Sequence, residues 1–345
     1  MGVRSFGLSI SAFAKPKSQI RPVDVVCLGE LLVDLIGQET GSLADVQTFR
    51  KHPGGSAANV AVGVSRLGLS PGIVTRLGTD PFGDYLIETM NQYGVDTSLV
   101  RRDKDRRTTL AFVSLDSARV PDYVFYRHPS ACMYLTRKDI DFRYVAQARL
   151  MYTSSISLVN RPIRDATYSA CRAARRQAVI VGFDVNLRTD LWRSLHEARR
   201  VMKAFLRLVD ILKIDHHELD FLYPGLKQSD QLEQLFREYP RVRIIAVTLG
   251  ADGVVLLNGP QLAVTVPALP VNASRIIDTT GAGDAFMAAL LTGICRKRIK
   301  QSELRFDAEE LREIGRFANT SAALVIQRHG AIPAMPTQAD VEALL

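Results

Sequence analysis

The chain has 345 residues, of which 47% are hydrophobic, 23% charged and 7% aromatic, and this composition excludes a disordered or fibrous protein. Lysine and arginine exceed aspartate and glutamate by 44 − 36 = 8 residues, but residues 1–23 carry four of the basic residues and no acidic one. The basic runs have no interleaved aromatic residues and no recognition motif accompanies them, so we expect no nucleic-acid partner.

Short β-branched runs alternate with longer helical patterns from Val25 onward, which is typical of βαβ units and a mostly parallel sheet. Five apolar runs each end in a polar or glycine-rich turn: residues 25–28, 72–75, 179–183, 211–214 and 244–248. Ligands gather at the carboxyl ends of parallel strands, so we expect one edge of the sheet to be lined by Asp184, Asn186, Asp215, Thr248 and Gly250. The sequence therefore predicts one α/β domain over residues 24–345, preceded by an N-terminal extension over residues 1–23.

Two β-branched stretches break this alternation. They cover residues 108–115 and 123–127, flank a turn that contains Pro121, and have no helical pattern between them. A hairpin is the simplest structure for such a pair. We interpret it as part of a small antiparallel lid, formed partly by about residues 108–127.

Two glycine-rich elements carry the functional signal. Residues 278–284 (DTTGAGD) precede an apolar, helix-forming stretch, and backbone amides at a helix N-terminus suit a phosphate or a developing phosphoryl charge. Residues 53–59 (PGGSAAN) precede a second helix that is predicted to close at Gly68. Asn59 can offer a donor and an acceptor to a polyol. Taken alone, Asp284 could be only a helix N-cap, and a glycine pair is common in tight turns.

In this order, and with Asn59 and Asp278 separated by 278 − 59 = 219 residues, the two elements resemble the paired signatures of the ribokinase-like sugar kinases, the PfkB family. The resemblance covers about residues 24–345. The fructokinase branch is the most similar one, on the strength of residues 29–34, 109–113, 125–131, 155–158, 184–188 and 330–337. It implies a ribokinase-like three-layer α/β sandwich with a mostly parallel central sheet, a small β lid and ATP-dependent phosphorylation of a free sugar, D-fructose in the first place.

The resemblance also implies site roles. Asp284 would be the general base, and the amides of Gly281, Ala282 and Gly283 would form the anion hole. Arg188 would contact the transferred phosphate or the acceptor. The sugar would be bound by Asp34, Gly54, Gly55 and Asn59, with Arg127 closing over it from the lid. If the resemblance is set aside, Asp34 could be an ordinary residue at the end of a strand, and Arg188 could be an arginine on the surface.

For the nucleotide, the resemblance implies that Thr248, Gly250 and Gly253 flank ATP and that Asn319 reaches toward the adenine. Mg²⁺ would be held, largely through water, by Glu218 and Asp215. Asp278 and Thr280 would begin a monovalent-cation loop for K⁺, completed by backbone around Val325, Ile326 and Gly330.

Two departures from the family stand out. Asp215 replaces the usual asparagine of an Asn-x-x-Glu motif, and Cys132 stands where fructokinase lids often carry an acid. The pair His216 and His217 with Glu218 could suggest a transition-metal site, but adjacent histidines usually point apart and no other ligand cluster accompanies them.

Alternative functions remain open. Arg127 and Arg188 could serve the carboxylate of 2-keto-3-deoxygluconate or a related sugar acid, and an inactive fructokinase-like binding or regulatory protein is a further possibility. The four cysteines show no metal-ligand spacing, and no run of 18 apolar residues occurs. We therefore expect a cytoplasmic protein that binds sugar and ATP, crosses no membrane, and forms a homodimer through the lid as the resemblance implies.

Overall fold

The computed structural model describes residues 23–116, 121–297 and 301–345. The predicted extension lies outside these residues except for Val23, which packs into the buried core. Residues 117–120 of the predicted hairpin also lie outside them.

The central layer is a nine-stranded sheet in the order β13-β12-β11-β10-β9-β8-β1-β4-β5. Its neighbours from β11 to β5 pair in parallel, and β12 and β13 are antiparallel at one edge. The strands are β1 (Val25–Leu28), β4 (Pro71–Gly78), β5 (Val100–Asp103), β8 (Leu150–Ser154), β9 (Ile180–Asp184), β10 (Ile211–Asp215), β11 (Ile244–Thr248), β12 (Val254–Asn258) and β13 (Ala263–Val266). All five strands predicted from apolar runs are present, which confirms the fold class.

Helices cover both faces of this sheet. One apolar core lies under α1, α2, α8 and α9, and a second lies under α3 to α7 on the other face. The helices are α1 (Ser56–Arg66), α2 (Pro81–Gln92), α3 (Phe142–Gln147), α4 (Ile163–Arg176), α5 (Leu195–Phe205), α6 (His216–Leu222), α7 (Gln228–Glu238), α8 (Ala282–Lys297), α9 (Ala308–Val325) and α10 (Gln338–Glu342). The result is a three-layer α/β/α sandwich, as predicted. Among the described residues, no helix combines the length and apolarity that crossing a bilayer requires.

The sheet that contains the predicted lid hairpin is larger than that hairpin, and the name lid is kept for the whole sheet. It is a separate four-stranded sheet in the order β3-β2-β6-β7, built from β2 (Leu32–Thr40), β3 (Phe49–Gly54), β6 (Leu110–Leu115) and β7 (Pro121–Tyr126). The antiparallel pair β6 and β7 is the predicted hairpin, but β2 runs parallel to β6, so the sheet is mixed. Asp34 therefore lies within a lid strand rather than at the end of a strand of the central sheet.

Candidate active site

The site is a row of three neighbouring cavities along the carboxyl edge of the central sheet. Each cavity is named after the ligand that the sequence predicts for its residues. The first, under the lid, is called the sugar cavity and is bounded by Glu30, Asp34, Asn59, Arg127 and Asp284 among others. The second, the phosphate cavity, shares Arg188, Gly281 and Asp284 with the first. The third, the nucleotide cavity, shares Lys213, Ala282 and Gly283 with the second.

Asp34 and Gly54 meet across the paired lid strands β2 and β3. A Cβ on Gly54 would overlap the Asp34 carboxylate, so only glycine lets this strand pass so close to the charge. Burial, reinforced by the nearby charges of Asp278 and Asp284, raises the pKa of Asp34 to about 7. The predicted sugar-binding residue is thus a buried carboxylate in the cavity wall.

Asp284 lies in the first turn of α8 and is held from α1. Ser56 Oγ donates to its Oδ1 at 2.7 Å, and Asn59 Nδ2 donates to its Oδ2 at 2.8 Å. Burial raises the pKa of Asp284, whereas these two hydrogen bonds oppose that rise. The carboxylate lines both the sugar cavity and the phosphate cavity.

Three buried side chains of the sugar cavity, Glu30, Arg127 and Asn59, have polar atoms without a partner among the described residues. Glu30 Oε1 accepts from the Ser56 amide at 2.9 Å, but its Oε2 has no partner among the described residues. Arg127 is 3% exposed, and its Nε and Nη2 are likewise unpaired there. Asn59 Oδ1 is the fourth such atom. A cavity wall with two unused acceptors and an unused guanidinium suits a ligand rich in hydroxyl groups.

The predicted anion hole lies at the start of α8, a helix of 16 residues. The Ala282 amide donates to the Thr279 carbonyl at 3.3 Å, whereas the Gly281 and Gly283 amides have no backbone acceptor among the described residues. Gly281 has φ +84°, and a Cβ there would collide with Ala331. Two of the three predicted amides are therefore free to receive an anion.

Arg188 lies beyond the end of β9 and contacts the lid. Its guanidinium lies 5.5 Å from the ring centroid of Tyr123, and the Tyr123 hydroxyl donates to Thr280 Oγ1 at 3.5 Å. Arg188 lines both the sugar and phosphate cavities. The lid is thereby connected to the residue predicted to contact phosphate and to the glycine-rich loop.

Lys213 is a site residue that sequence reasoning missed. It extends from β10, is buried, and donates from Nζ to Asp184 Oδ1 at 2.9 Å. Burial lowers the pKa of Lys213, but the carboxylates of Asp184, Glu218 and Asp284 together outweigh this effect, so the pKa lies above its ordinary value. A Cβ on Gly283 would lie 3.4 Å from Nζ, which places the ammonium beside the anion hole.

The nucleotide cavity gathers all four residues predicted for ATP: Thr248, Gly250, Gly253 and Asn319. Asn319 Nδ2 donates to the Val266 and Pro267 carbonyls at 3.0 and 2.9 Å, so its amide group also ties α9 to the end of β13. His216 and His217 line the same cavity, with their ring centroids 3.8 Å apart.

Asp215 and Glu218 form a capping box at the start of α6. Asp215 Oδ1 accepts from the Glu218 amide at 2.7 Å, and Glu218 Oε2 accepts from the Asp215 amide at 2.9 Å. Glu218 Oε1 accepts from the Leu187 amide at 2.7 Å, so both of its oxygens are occupied. Within residues 23–116, 121–297 and 301–345, no group of three or more His, Cys, Asp or Glu side chains is placed to hold a metal ion.

Asp278 closes the glycine-rich loop onto a distant segment. Its carboxylate accepts from the Thr280 amide at 2.8 Å and from the Gly330 amide at 2.9 Å. The Ile326 carbonyl accepts from the amide of Asp278 at 3.3 Å. The segments predicted to form the cation loop therefore do meet.

Glu30, Ser56 and Tyr152 were also missed. Ser56 follows Gly55 and Glu30 lies four positions before Asp34, but nothing in their spacing marks them as site residues. Tyr152 lies in β8, a strand that was not predicted, and bonds to Ser56 at 2.9 Å. Of these missed residues, only Lys213 could have been recognised from the sequence, because it is a charged residue inside an apolar run.

The chain matches known proteins over nearly its whole length. The pfkB family carbohydrate kinase profile matches residues 23–338. The chain is 39% identical over 325 residues to probable fructokinase-6, chloroplastic, of Arabidopsis thaliana, an alignment that covers 93% of this chain and 82% of that protein.

Solved fructokinases share the fold. The Xylella fastidiosa enzyme with bound ATP matches with a TM-score of 0.85 and 30% identity, over 93% of this chain and 97% of that one. The Vibrio cholerae O395 enzyme, with fructose, ADP and a calcium ion bound, matches with a TM-score of 0.80 and 30% identity, over 94% and 99%. On this extent of similarity, the chain belongs to the pfkB family of carbohydrate kinases.

Proposed function

We propose that the protein transfers the γ-phosphoryl group of ATP to a free sugar, and that D-fructose, converted to fructose 6-phosphate, is the preferred acceptor. The observation that carries this proposal is the position of Asp284. It is the one carboxylate among the described residues that borders both the sugar cavity and the phosphate cavity. A general base for phosphoryl transfer has to stand at that junction.

In the proposed reaction, Asp284 takes the proton of the sugar hydroxyl as its oxygen attacks the γ-phosphorus. The bond to the β-phosphate oxygen breaks, and ADP leaves. Charge on the transferred group is stabilised by the free amides of Gly281 and Gly283 at the positive end of α8. Arg188 and Lys213 add positive charge from the wall of the same cavity.

ATP would occupy the nucleotide cavity beside Thr248, Gly250, Gly253 and Asn319. Mg²⁺ would supply charge neutralisation on the phosphates. Asp215 borders that cavity and has one carboxylate oxygen outside the capping box, so it could hold the ion through water. Both Glu218 oxygens bind amides, so we assign Glu218 the role of fixing Asp215.

A monovalent cation such as K⁺ would order the loop between Asp278 and Thr280. The support is the convergence of this loop with the segment from Ile326 to Gly330, whose carbonyl groups could ligate it. Since the same loop leads into Gly281, an ordered cation would help hold the anion hole in shape.

A neutral ketose fits the charges of the sugar cavity. Its wall carries three carboxylates, Glu30, Asp34 and Asp284, against the guanidinium groups of Arg127 and Arg188. An acceptor with its own carboxylate would add negative charge to a buried space that already holds three acidic side chains. The fructose bound to the Vibrio cholerae relative supports the same acceptor.

One observation favours a second candidate, a sugar acid such as 2-keto-3-deoxygluconate. Arg127 is buried with two nitrogen atoms that have no partner among the described residues, and a carboxylate would satisfy both. Glu30 and Asn59 present unused acceptors to the same cavity, which a carboxylate would leave unpaired. We therefore place the sugar acid second.

A homodimer through the lid is supported by the outer face of that sheet. Tyr123 and Phe125 of β7 line the sugar cavity, so the alternate residues Val124 and Tyr126 point away from it. They are 46% and 65% exposed, and Tyr126 packs edge-on against Phe112 of β6 with ring centroids 5.1 Å apart. We propose that a second copy covers this apolar face.

We also propose a reducing compartment, the cytoplasm, as the place of action. The support is that all four cysteines, Cys27, Cys132, Cys171 and Cys295, are free and buried.

Steady-state ATP turnover with fructose, ribose, adenosine and 2-keto-3-deoxygluconate as acceptors tests the proposal. We expect kcat/KM for fructose to exceed that for the sugar acid by at least about tenfold, or about 1.4 kcal/mol of transition-state binding. A reversed preference that Arg127→Ala abolishes would establish the second candidate. No turnover with any acceptor would favour an inactive binding or regulatory protein.

A further inference from the structure

A chain of hydrogen bonds leads from the interior of the central sheet to Asp284. The Tyr152 hydroxyl lies 2.9 Å from Ser56 Oγ, and Ser56 Oγ lies 2.7 Å from Asp284 Oδ1. Tyr152 is fully buried in β8, and Ser56 is buried at the first position of α1. The chain therefore joins three different elements.

The hydroxyl protons available decide which oxygen donates in each of these two hydrogen bonds. An ionised carboxylate can only accept hydrogen bonds, so Ser56 donates its single hydroxyl proton to Asp284. Ser56 Oγ must then accept from Tyr152, which donates its phenolic proton. Burial, reinforced by the charges of Asp184 and Asp284, keeps the pKa of Tyr152 well above its ordinary value, so the phenol retains that proton.

We propose that Tyr152 and Ser56 are positioning residues that hold the Asp284 carboxylate ionised and fixed in orientation for proton abstraction. This inference rests on the proposed role of Asp284 as the base. With Asn59 on Oδ2, each carboxylate oxygen accepts one fixed donor from α1 and keeps a lone pair for the acceptor hydroxyl. The carboxylate can then not rotate without breaking two buried hydrogen bonds.

The charged surroundings of Asp284 make these donors important. Asp184 faces it from β9 and raises the pKa of Asp284, whereas Lys213 faces it from β10 and lowers that pKa. Among the described residues, Tyr152 interacts with Asp284 from β8. The other ionisable groups that border the sugar and phosphate cavities are Glu30, Asp34, Asp122, Tyr123, Arg127, Cys132, Arg188 and Asp190. In a buried site with several carboxylates, loss of a donor favours the protonated base.

The test compares Tyr152→Phe and Ser56→Ala with wild type and with Tyr144→Phe as a matched control. Tyr144 is also a buried tyrosine, and its hydroxyl donates to Asp96 at 2.7 Å, away from the site. We expect Tyr152→Phe to lower kcat for fructose at pH 7 by about tenfold with little change in KM, the effect of one lost hydrogen bond on the transition state. The acid limb of the kcat profile should move to higher pH, further for Ser56→Ala than for Tyr152→Phe, and not at all for Tyr144→Phe.

A carboxyl ¹³C NMR titration measures the pKa of Asp284 directly and does not depend on turnover. The Asp284 signal is assigned by its absence from the spectrum of Asp284→Asn. The pKa of Asp284 should be lowest in wild type, higher in Tyr152→Phe and highest in Ser56→Ala. An unchanged Asp284 pKa in both folded variants would overturn the proposal, as would a fall in kcat that is equal at every pH. If wild type phosphorylates no sugar, the proposed function fails, whereas the titration still decides whether the hydrogen-bond chain acts on Asp284.

Discussion

Asn59 Nδ2 lies 2.8 Å from Asp284 Oδ2, and this hydrogen bond joins two residues that are 225 positions apart in the chain. One residue belongs to the glycine-rich element that opens α1, the other to the element that opens α8. The residue expected to bind sugar and the residue expected to abstract its proton are therefore directly bonded. Substitution of either one should affect both binding and chemistry.

Lys213 should be required for turnover. We expect Lys213→Met to lower kcat by about 10²-fold or more, the scale of a lost electrostatic contact to the transition state. The variant also leaves Asp184 buried and unpaired, which destabilises the fold by itself. Activity assays and thermal unfolding should therefore include the double variant Asp184→Asn/Lys213→Met.

The double variant removes the charged pair together and should regain thermal stability while remaining inactive. Recovery of kcat in the double variant would mean that Lys213 only neutralises Asp184.

Asp34 should make the protein less stable as pH rises. Its pKa is about 7 in the folded protein against an ordinary value of 3.8, so between these pH values the folded state binds more protons than the unfolded state. The free energy of unfolding therefore falls as pH rises through this window. We expect Asp34→Asn to be more stable than wild type at pH 8 by at least about 1 kcal/mol, since one pKa unit is worth about 1.4 kcal/mol.

Urea unfolding of wild type and Asp34→Asn at pH 5 and pH 8 measures the difference in their free energies of unfolding. This difference should be smaller at pH 5. An equal difference at the two pH values would refute the assigned pKa. The same variant should phosphorylate fructose poorly, because it loses a carboxylate of the sugar cavity.

The lid should become more protected when sugar binds. Because Asp34 and Arg127 reach the cavity from the lid, a bound sugar links that sheet to α1 and α8. We expect saturating fructose to slow hydrogen exchange in all four strands, β2, β3, β6 and β7, and to leave the edge strands β12 and β13 unchanged. Unaltered exchange across the lid would contradict its assignment as a cover.

Much of the fold could be predicted from the local pattern of apolar and polar residues, whereas most of the lid could not. Apolar runs that end in polar turns identified β1, β4, β9, β10 and β11 because buried parallel strands are largely apolar. The lid strand β3, with Arg50, Lys51 and His52 in sequence, has no such pattern and is fixed by its pairing with β2. The β2–β6 pairing joins Asp34 to Ala111, a contact that no short-range signal encodes.

The site was predictable where a motif carried it. The family motifs named Asp284, Asn59 and the glycine-rich turns, and the structure brings these residues together. Lys213 and Tyr152 act through partners on other elements, Asp184 on β9 and Ser56 on α1, and such pairings arise only from the folded arrangement.

The outer face of the lid should carry the dimer contact. We expect wild type to sediment as a dimer at micromolar concentration, and Val124→Lys/Tyr126→Lys to sediment as a monomer, because a charged pair cannot be buried in that face without partners. Leu195→Lys, at an apolar residue that is 50% exposed on α5, is the control and should remain dimeric. A monomeric wild type would rule out this interface.

The most direct test of the account is the turnover of Asp284→Asn with fructose and ATP, measured on protein whose circular dichroism and thermal unfolding match wild type. Asparagine keeps the size of the side chain, and its oxygen can still accept from Ser56. Its NH₂ group can donate to Asn59 Oδ1 once the Asn59 amide turns over, but the side chain cannot take up the hydroxyl proton. We predict that kcat falls by about 10²-fold or more, the scale of a lost general base. Turnover close to that of wild type in this folded variant would contradict the account, because Asp284 would then be only a structural residue at the start of α8.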